Sequence, residues 1–96
     1  MTYRFHLDAK TEYTDAILYY ESCRRGLGAA FTLEVEAAIQ RILEAPTRWR
    51  TIEKDVRTCR TRTFPYALLY TMRGDTIFIV AVMHLHRKPG YWRERI

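Results

Sequence analysis

Serine occurs once in these 96 residues, cysteine twice, proline three times and glycine four times. Each scarcity removes a class of chemistry. The lone Ser22 falls inside a helical pattern, which argues against a Ser-His-Asp nucleophile. Cys23 and Cys59 stand far apart with no CxxC spacing, so neither a disulfide framework nor a zinc site follows. Gly26 and Gly28 lack the spacing and the preceding strand of a phosphate-cradling loop. No apolar run approaches the ~20 residues of a membrane span. The opening Met1–Leu7 has no signal-peptide core, so the expected location is cytoplasmic. With 48% hydrophobic and 28% charged residues, the composition fits an ordered globular chain and excludes a disordered one. A single domain over 1–96 is expected.

What the chain does have is a long β-forming stretch. From Val56 to Tyr70, and again from Thr76 to Leu85, β-branched and aromatic residues dominate. Arg73-Gly74-Asp75 between the two runs reads as a tight hairpin turn; with no export signal, the tripeptide carries no adhesion meaning. Ile77 to Leu85 is apolar at both parities, which predicts a central strand covered on both faces. Pro65 donates nothing to a ladder, so Phe64-Pro65-Tyr66 marks a strand junction.

The first half is helical. Tyr3, Phe5 and Leu7 alternate with polar residues as a short opening strand. Asp8 is a candidate N-cap, and Glu12 and Asp15 place negative charge in the early turns. Tyr13, Ala16, Ile17 and Tyr20 form one apolar stripe, leaving Leu18 and Tyr19 off it. Gly26 is a candidate residue just past the helix end. A second helix buries Phe31, Val35, Ala38, Ile39 and Ile42, turns Glu34, Glu36, Gln40 and Arg41 mostly outward, and stops at Pro46. Thr47 to Asp55 reads as a polar connection. The order β-α-α-β-β-β is not the alternation of a parallel sheet. It predicts an α+β fold: a mostly antiparallel sheet with a helical hairpin on one face.

Charge is unevenly spread. Residues 48–62 carry six Lys/Arg against two acids, and residues 84–96 carry four against one, net +4 and +3. Since the whole chain is +5, the remainder is −2. Such asymmetry predicts an acidic or polyanionic partner, or else a solvated basic face. Arg60, Arg62 and Arg87 with Tyr91 and Trp92 form the strongest constellation. Arginines bind phosphates or carboxylates, and the aromatics either stack on bases, anchor an interface or close over the core. RNA cleavage would need a base and an acid beside the cations, for which His84, His86 and Tyr91 are the available groups. His84 and His86 share one side of a strand, but no third ligand stands nearby and no metal is expected. Glu34 and Glu36 lie on different helix faces and make no acid/base pair.

Taken in series, Glu12-Tyr13-Thr14-Asp15-Ala16, Tyr19-Tyr20-Glu21, Gly26-Leu27-Gly28, Phe31, Ala45-Pro46, Trp49, Val56-Arg57, Phe64-Pro65-Tyr66, Tyr70, His84, Arg87-Lys88-Pro89-Gly90-Tyr91-Trp92 and Arg95 resemble the RelE/ParE toxin superfamily, nearer its ParE branch. The resemblance implies a type II toxin–antitoxin toxin, of the plasmid-stabilisation kind, neutralised by a ParD-like antitoxin. ParE-like relatives are held to inhibit DNA gyrase, and RelE-like ones to cleave mRNA on the ribosome. Lys54 is the sole candidate counterpart of the RelE-like lysines, and no catalytic set carries over. Three expectations follow. The first is a gyrase-docking inhibitor using Arg57, Arg60, Arg62, Arg87, Tyr91, Trp92 and Arg95. The second is an endoribonuclease using Arg60, Arg62, His86 and Tyr91. The third is an inactive homologue that only binds antitoxin. Leu18 and Tyr19 are the expected antitoxin contacts, in a helix-in-groove or strand-addition mode. No cofactor is expected.

Overall fold

A computed structural model describes residues 1–96. Strand β1 (Thr2–Phe5) leads into helices α1 (Leu7–Cys23) and α2 (Leu27–Glu44), followed by β2 (Thr51–Glu53), β3 (Val56–Arg60), β4 (Tyr66–Arg73) and β5 (Thr76–His84). A single 3-10 turn, Arg93–Arg95, lies near the C-terminus. The five strands form one sheet in the order β1-β5-β4-β3-β2. Only the β1–β5 pairing is parallel; the other three are antiparallel. The α+β expectation holds, with one addition. The polar connection contributes the short edge strand β2.

The two helices pack side by side on one face of the sheet. Gly28 makes that approach possible, because a Cβ there would lie 2.8 Å from the Ile17 carbonyl oxygen. Ala9, Tyr13 and Ala16 of α1 and the five predicted apolar residues of α2 form the main core with Cys59, Leu68, Tyr70, Ile77, Ile79 and Val82. On the opposite face, Val56, Ala67, Leu69, Phe78, Val80 and Ala81 form a second cluster, closed by Trp92. The two-faced burial expected of β5 is thus real, and the C-terminal tail supplies one of its covers. Val80 is the extra residue of a bulge, because Ala81 faces Leu69 while Ile79 faces Tyr70. The bulge shifts the alternation, so the adjacent Val80 and Ala81 both belong to the tail-side cluster.

Three local expectations are corrected. His6, not Asp8, caps α1, its Nδ1 accepting from the Asp8 amide at 2.9 Å. A ring nitrogen serves here as the acceptor that an Asp or Ser usually provides. Gly26 is not the residue closing α1, whose C-cap is Arg24; it is the N-cap of α2, with φ +87°. Leu7 belongs to α1 and is exposed rather than buried on a strand. The turn prediction is right: Gly74, at φ +61°, joins β4 to β5.

Candidate functional site

Two regions gather the residues singled out by sequence, and they differ in how their charge is used. The first is the end of β3 and the loop beyond it. Thr61 is buried, and its hydroxyl donates to the Phe64 and Tyr66 carbonyls at 2.7 and 3.2 Å. Glu34 reaches from α2 to accept the Arg62 and Thr63 amides at 2.8 and 2.9 Å, and it also accepts the Thr63 hydroxyl. It does not project into solvent as expected of an outward helix residue. Desolvation pushes the Glu34 carboxyl up, but the hydrogen bonds from Thr63 and Arg62 outweigh it, and its pKa falls below the ordinary value. Arg41 donates to the Arg60 carbonyl at 2.8 Å. The backbone is therefore fastened on both sides, while the Arg60 and Arg62 side chains are exposed and enter no ion pair.

Arg57, expected on the same strip, does something else. Its guanidinium donates to the Thr47 and Trp49 carbonyls at 3.0 and 2.7 Å. It ties the connection after α2 to β3.

The second region is the tail, organised by Glu12. Beyond the end of β1 the edge of β5 has no neighbouring strand, and side chains take over its backbone groups. Glu12 Oε1 accepts the Val82 amide at 3.0 Å, and Arg95 Nη1 donates to the Val80 carbonyl at 3.1 Å. Arg95 also grips Glu12 with both terminal nitrogens, at 2.9 and 3.0 Å. Tyr91 donates its hydroxyl to Glu12 Oε2 at 2.7 Å. Burial and this bond to Glu12 push the Tyr91 phenol well above its ordinary pKa. Arg87 lies 3.7 Å from the same carboxylate and 4.0 Å from the Tyr91 ring centroid. Arg93 pairs with Glu53 at 2.8 Å. Trp92 is buried, only 3% exposed, and packs as core.

The single basic strip suggested by the charge count therefore divides. Arg87, Arg93 and Arg95 meet carboxylates of the chain itself, whereas Arg60 and Arg62 do not. Trp92 cannot stack on a partner while it is buried, and Tyr91 spends its hydroxyl on Glu12. Sequence reading placed Glu12 as a helix-start acid and as a position of the family-like series, with no partner assigned to it. Its partners lie 70 to 83 residues away, and nothing local announces them.

Between α1 and the open edge of β5 lies a cleft of about 290 Å³, lined by Glu12, Asp15, Tyr19, Tyr66, His84 and Arg87 among others. His84 packs edge-on against Tyr66, with ring centroids 5.2 Å apart, and its Nδ1 accepts the His86 amide at 3.1 Å. The two histidine rings lie 5.3 Å apart, and no group of three His, Cys, Asp or Glu comes together anywhere in the chain. Leu18 and Tyr19 are exposed, at 64% and 62%, beside this cleft on α1. No helix is long and apolar enough to cross a membrane.

The fold and the sequence can each be compared with known proteins. The fold resembles a solved structure described as the chromosomal ParDE TA system from P. aeruginosa, with a TM-score of 0.78 at 11% identity. The superposition covers 90% of this chain and 97% of that one. Among curated proteins no sequence matches. The profile of the family described as ParE toxin of type II toxin-antitoxin system, parDE, matches residues 3–89, and the chain belongs to that family.

Proposed function

We propose that this ParE-family chain blocks DNA replication by docking on DNA gyrase, and that a cognate ParD-like antitoxin neutralises it. The cationic end of β3 makes the contact with gyrase, and Arg60 and Arg62 carry it. One observation supports this choice above the rest: these two guanidiniums stay free of carboxylates while Glu34, Thr61 and Arg41 fasten the backbone beneath them. Positive charge carried on a fastened backbone speeds encounter with a negative surface, and only the two side chains are left to be ordered on contact. The tail residues Arg87, Tyr91, Trp92 and Arg95 serve that surface indirectly, by holding the sheet from the other side. Arg57 likewise supports it from below.

The endoribonuclease reading is less well supported. Of its two candidate proton donors, His86 and Tyr91, the Tyr91 hydroxyl is held by Glu12 with its pKa raised, which leaves His86 alone. The antitoxin is best placed along α1, over Leu18 and Tyr19 and toward the cleft at the open edge of β5. An apolar segment there would bury side chains that now face water.

Supercoiling by purified gyrase, run beside a ribosome-programmed mRNA cleavage assay, tests the proposal. The wild-type protein should inhibit supercoiling and leave mRNA whole, and the R60E/R62E variant should lose inhibition. Ribosome-dependent cuts at defined sites would replace gyrase with mRNA as the target. Neither effect would leave an inactive homologue that only binds antitoxin.

A further inference from the structure

At the opposite end of the sheet from Arg60, a second cavity has a lining unlike the others. It measures about 180 Å³ and is bounded by Arg4, Arg73, Thr76 and Phe78. Each of the other three cavities has a carboxylate in its wall: Glu12 and Asp15, Glu53, or Asp55. This one has two guanidiniums and none. Neither Arg4 nor Arg73 enters an ion pair, although Asp75 stands only two positions from Arg73 in the turn.

The sheet sets this geometry. Arg4 on β1 stands opposite Phe78 on β5, and Arg73 on β4 stands opposite Thr76 on β5. Both arginines thus flank Phe78 on the face away from the helices. The Arg73 guanidinium carbon sits 4.1 Å from the Phe78 ring centroid, so a cation–π contact holds the group over the ring. Phe78 is only 7% exposed, which is consistent with the arginine stems covering its ring. Thr76 Oγ1 lies 3.3 Å from Thr2 Oγ1, which steadies a hydroxyl at the rim. The volume corresponds to about six waters, enough for a tetrahedral oxyanion.

We propose that Arg4, Arg73 and Thr76 form an oxyanion site that takes a phosphate group. Two planar forks suit the bidentate geometry of phosphate oxygens. Two unneutralised cations match a dianion better than they match a lone carboxylate. The apolar ring forming one wall limits water on that side and strengthens the attraction. The phosphate could belong to a nucleic-acid backbone or to a small phosphorylated molecule, and both present the same group.

The test follows the Arg4 and Arg73 Nε–H signals and the Thr76 amide by NMR. Inorganic phosphate is titrated at constant ionic strength, with acetate as the comparison. Saturable shifts with phosphate in the millimolar range are expected, and R4Q or R73Q should each weaken binding about tenfold. Both side chains are exposed, so the variants should keep the native spectrum elsewhere. R60Q/R62Q should bind phosphate as the wild type does, which separates this site from the proposed gyrase contact. If a short DNA duplex shifts the same signals at micromolar concentration, the phosphate is that of a nucleic acid. If only the free ion does so, it is that of a small molecule. Shifts that do not saturate, that persist in R4Q/R73Q, or that acetate reproduces would overturn the proposal.

Discussion

Glu12 is where one side chain ties three elements together. Its carboxylate joins α1 to the β5 edge through the Val82 amide and to the tail through Tyr91 and Arg95. Glu12 and Arg95 keep only 15% and 12% of their side-chain surface exposed, so neither is well solvated alone. Removing one partner strands the other, which is costlier than removing both. Glu12→Gln should lower the unfolding free energy by about 2–3 kcal/mol, below the cost at a fully buried pair because both sites stay partly wet. Adding Arg95→Met to Glu12→Gln should cost less than the sum of the two changes made separately. Urea denaturation of the four proteins of this double-mutant cycle measures the coupling; strict additivity would show that the pair is incidental. Glu34 offers a pH test of the same kind. Its carboxyl is held below the ordinary value, so the stability it gives is present above the unfolded-state pKa near 4.5 and disappears as pH falls through the lower folded value. Hydrogen exchange at the Arg62 and Thr63 amides, taken relative to the intrinsic rate at each pH, should accelerate across that acidic window in the wild type. In Glu34→Gln it should already be fast at neutral pH.

Among the elements, β5 and the tail depend on each other in a way the sequence only partly discloses. Ile77 to Leu85 is visibly a two-sided strand, since both parities are apolar. The bulge at Val80 is not visible, because a run of Ile, Val and Ala looks the same in either register. That single extra residue decides that Val80 and Ala81 both belong with Trp92. The helices were easier to read, because a 3.6-residue stripe over α2 leaves few alternatives for Phe31, Val35 and Ile39. Their caps were harder, since His6 does the work usually given to Asp or Ser. The tail acts as a lid on the second core although its only regular structure is one 3-10 turn. Trp92→Ala should therefore cost about 3–5 kcal/mol, comparable to an aromatic deletion in a core. It should also release Arg93 from Glu53. Thermal unfolding checks the first effect, and loss of the ordered Arg93 side-chain signal checks the second.

At the scale of the whole molecule, the charge count of the sequence does not say which cations are already paired. Arg87, Arg93 and Arg95 add to the net +5, yet each has a carboxylate partner within the fold, whereas Arg60 and Arg62, like Arg48, Arg50, Lys54 and Lys88, are exposed and enter no ion pair. Sequence shows which side chains are charged; only the topology shows which have met. Of the nine large apolar side chains that stand exposed, Leu7, Leu18, Tyr19 and Leu33 lie on the helices, and Met1, Tyr3, Ile52, Met72 and Ile96 lie on the strands and termini. The two proposed partners differ in chemistry, an apolar segment along α1 and an acidic surface meeting the end of β3. Leu18→Ser with Tyr19→Ser should weaken antitoxin binding about a hundredfold, since two large side chains at about 1.5 kcal/mol each would no longer leave water. The free toxin should lose less than about 0.5 kcal/mol of stability, because neither side chain belongs to a core. Calorimetry of the complex and urea denaturation of the free chain separate these two effects. Unchanged affinity would move the antitoxin off α1, and a large loss of stability would mean that these residues serve the fold instead. Gyrase inhibition by this variant, measured without antitoxin, should equal that of the wild type, because Arg60 and Arg62 are untouched.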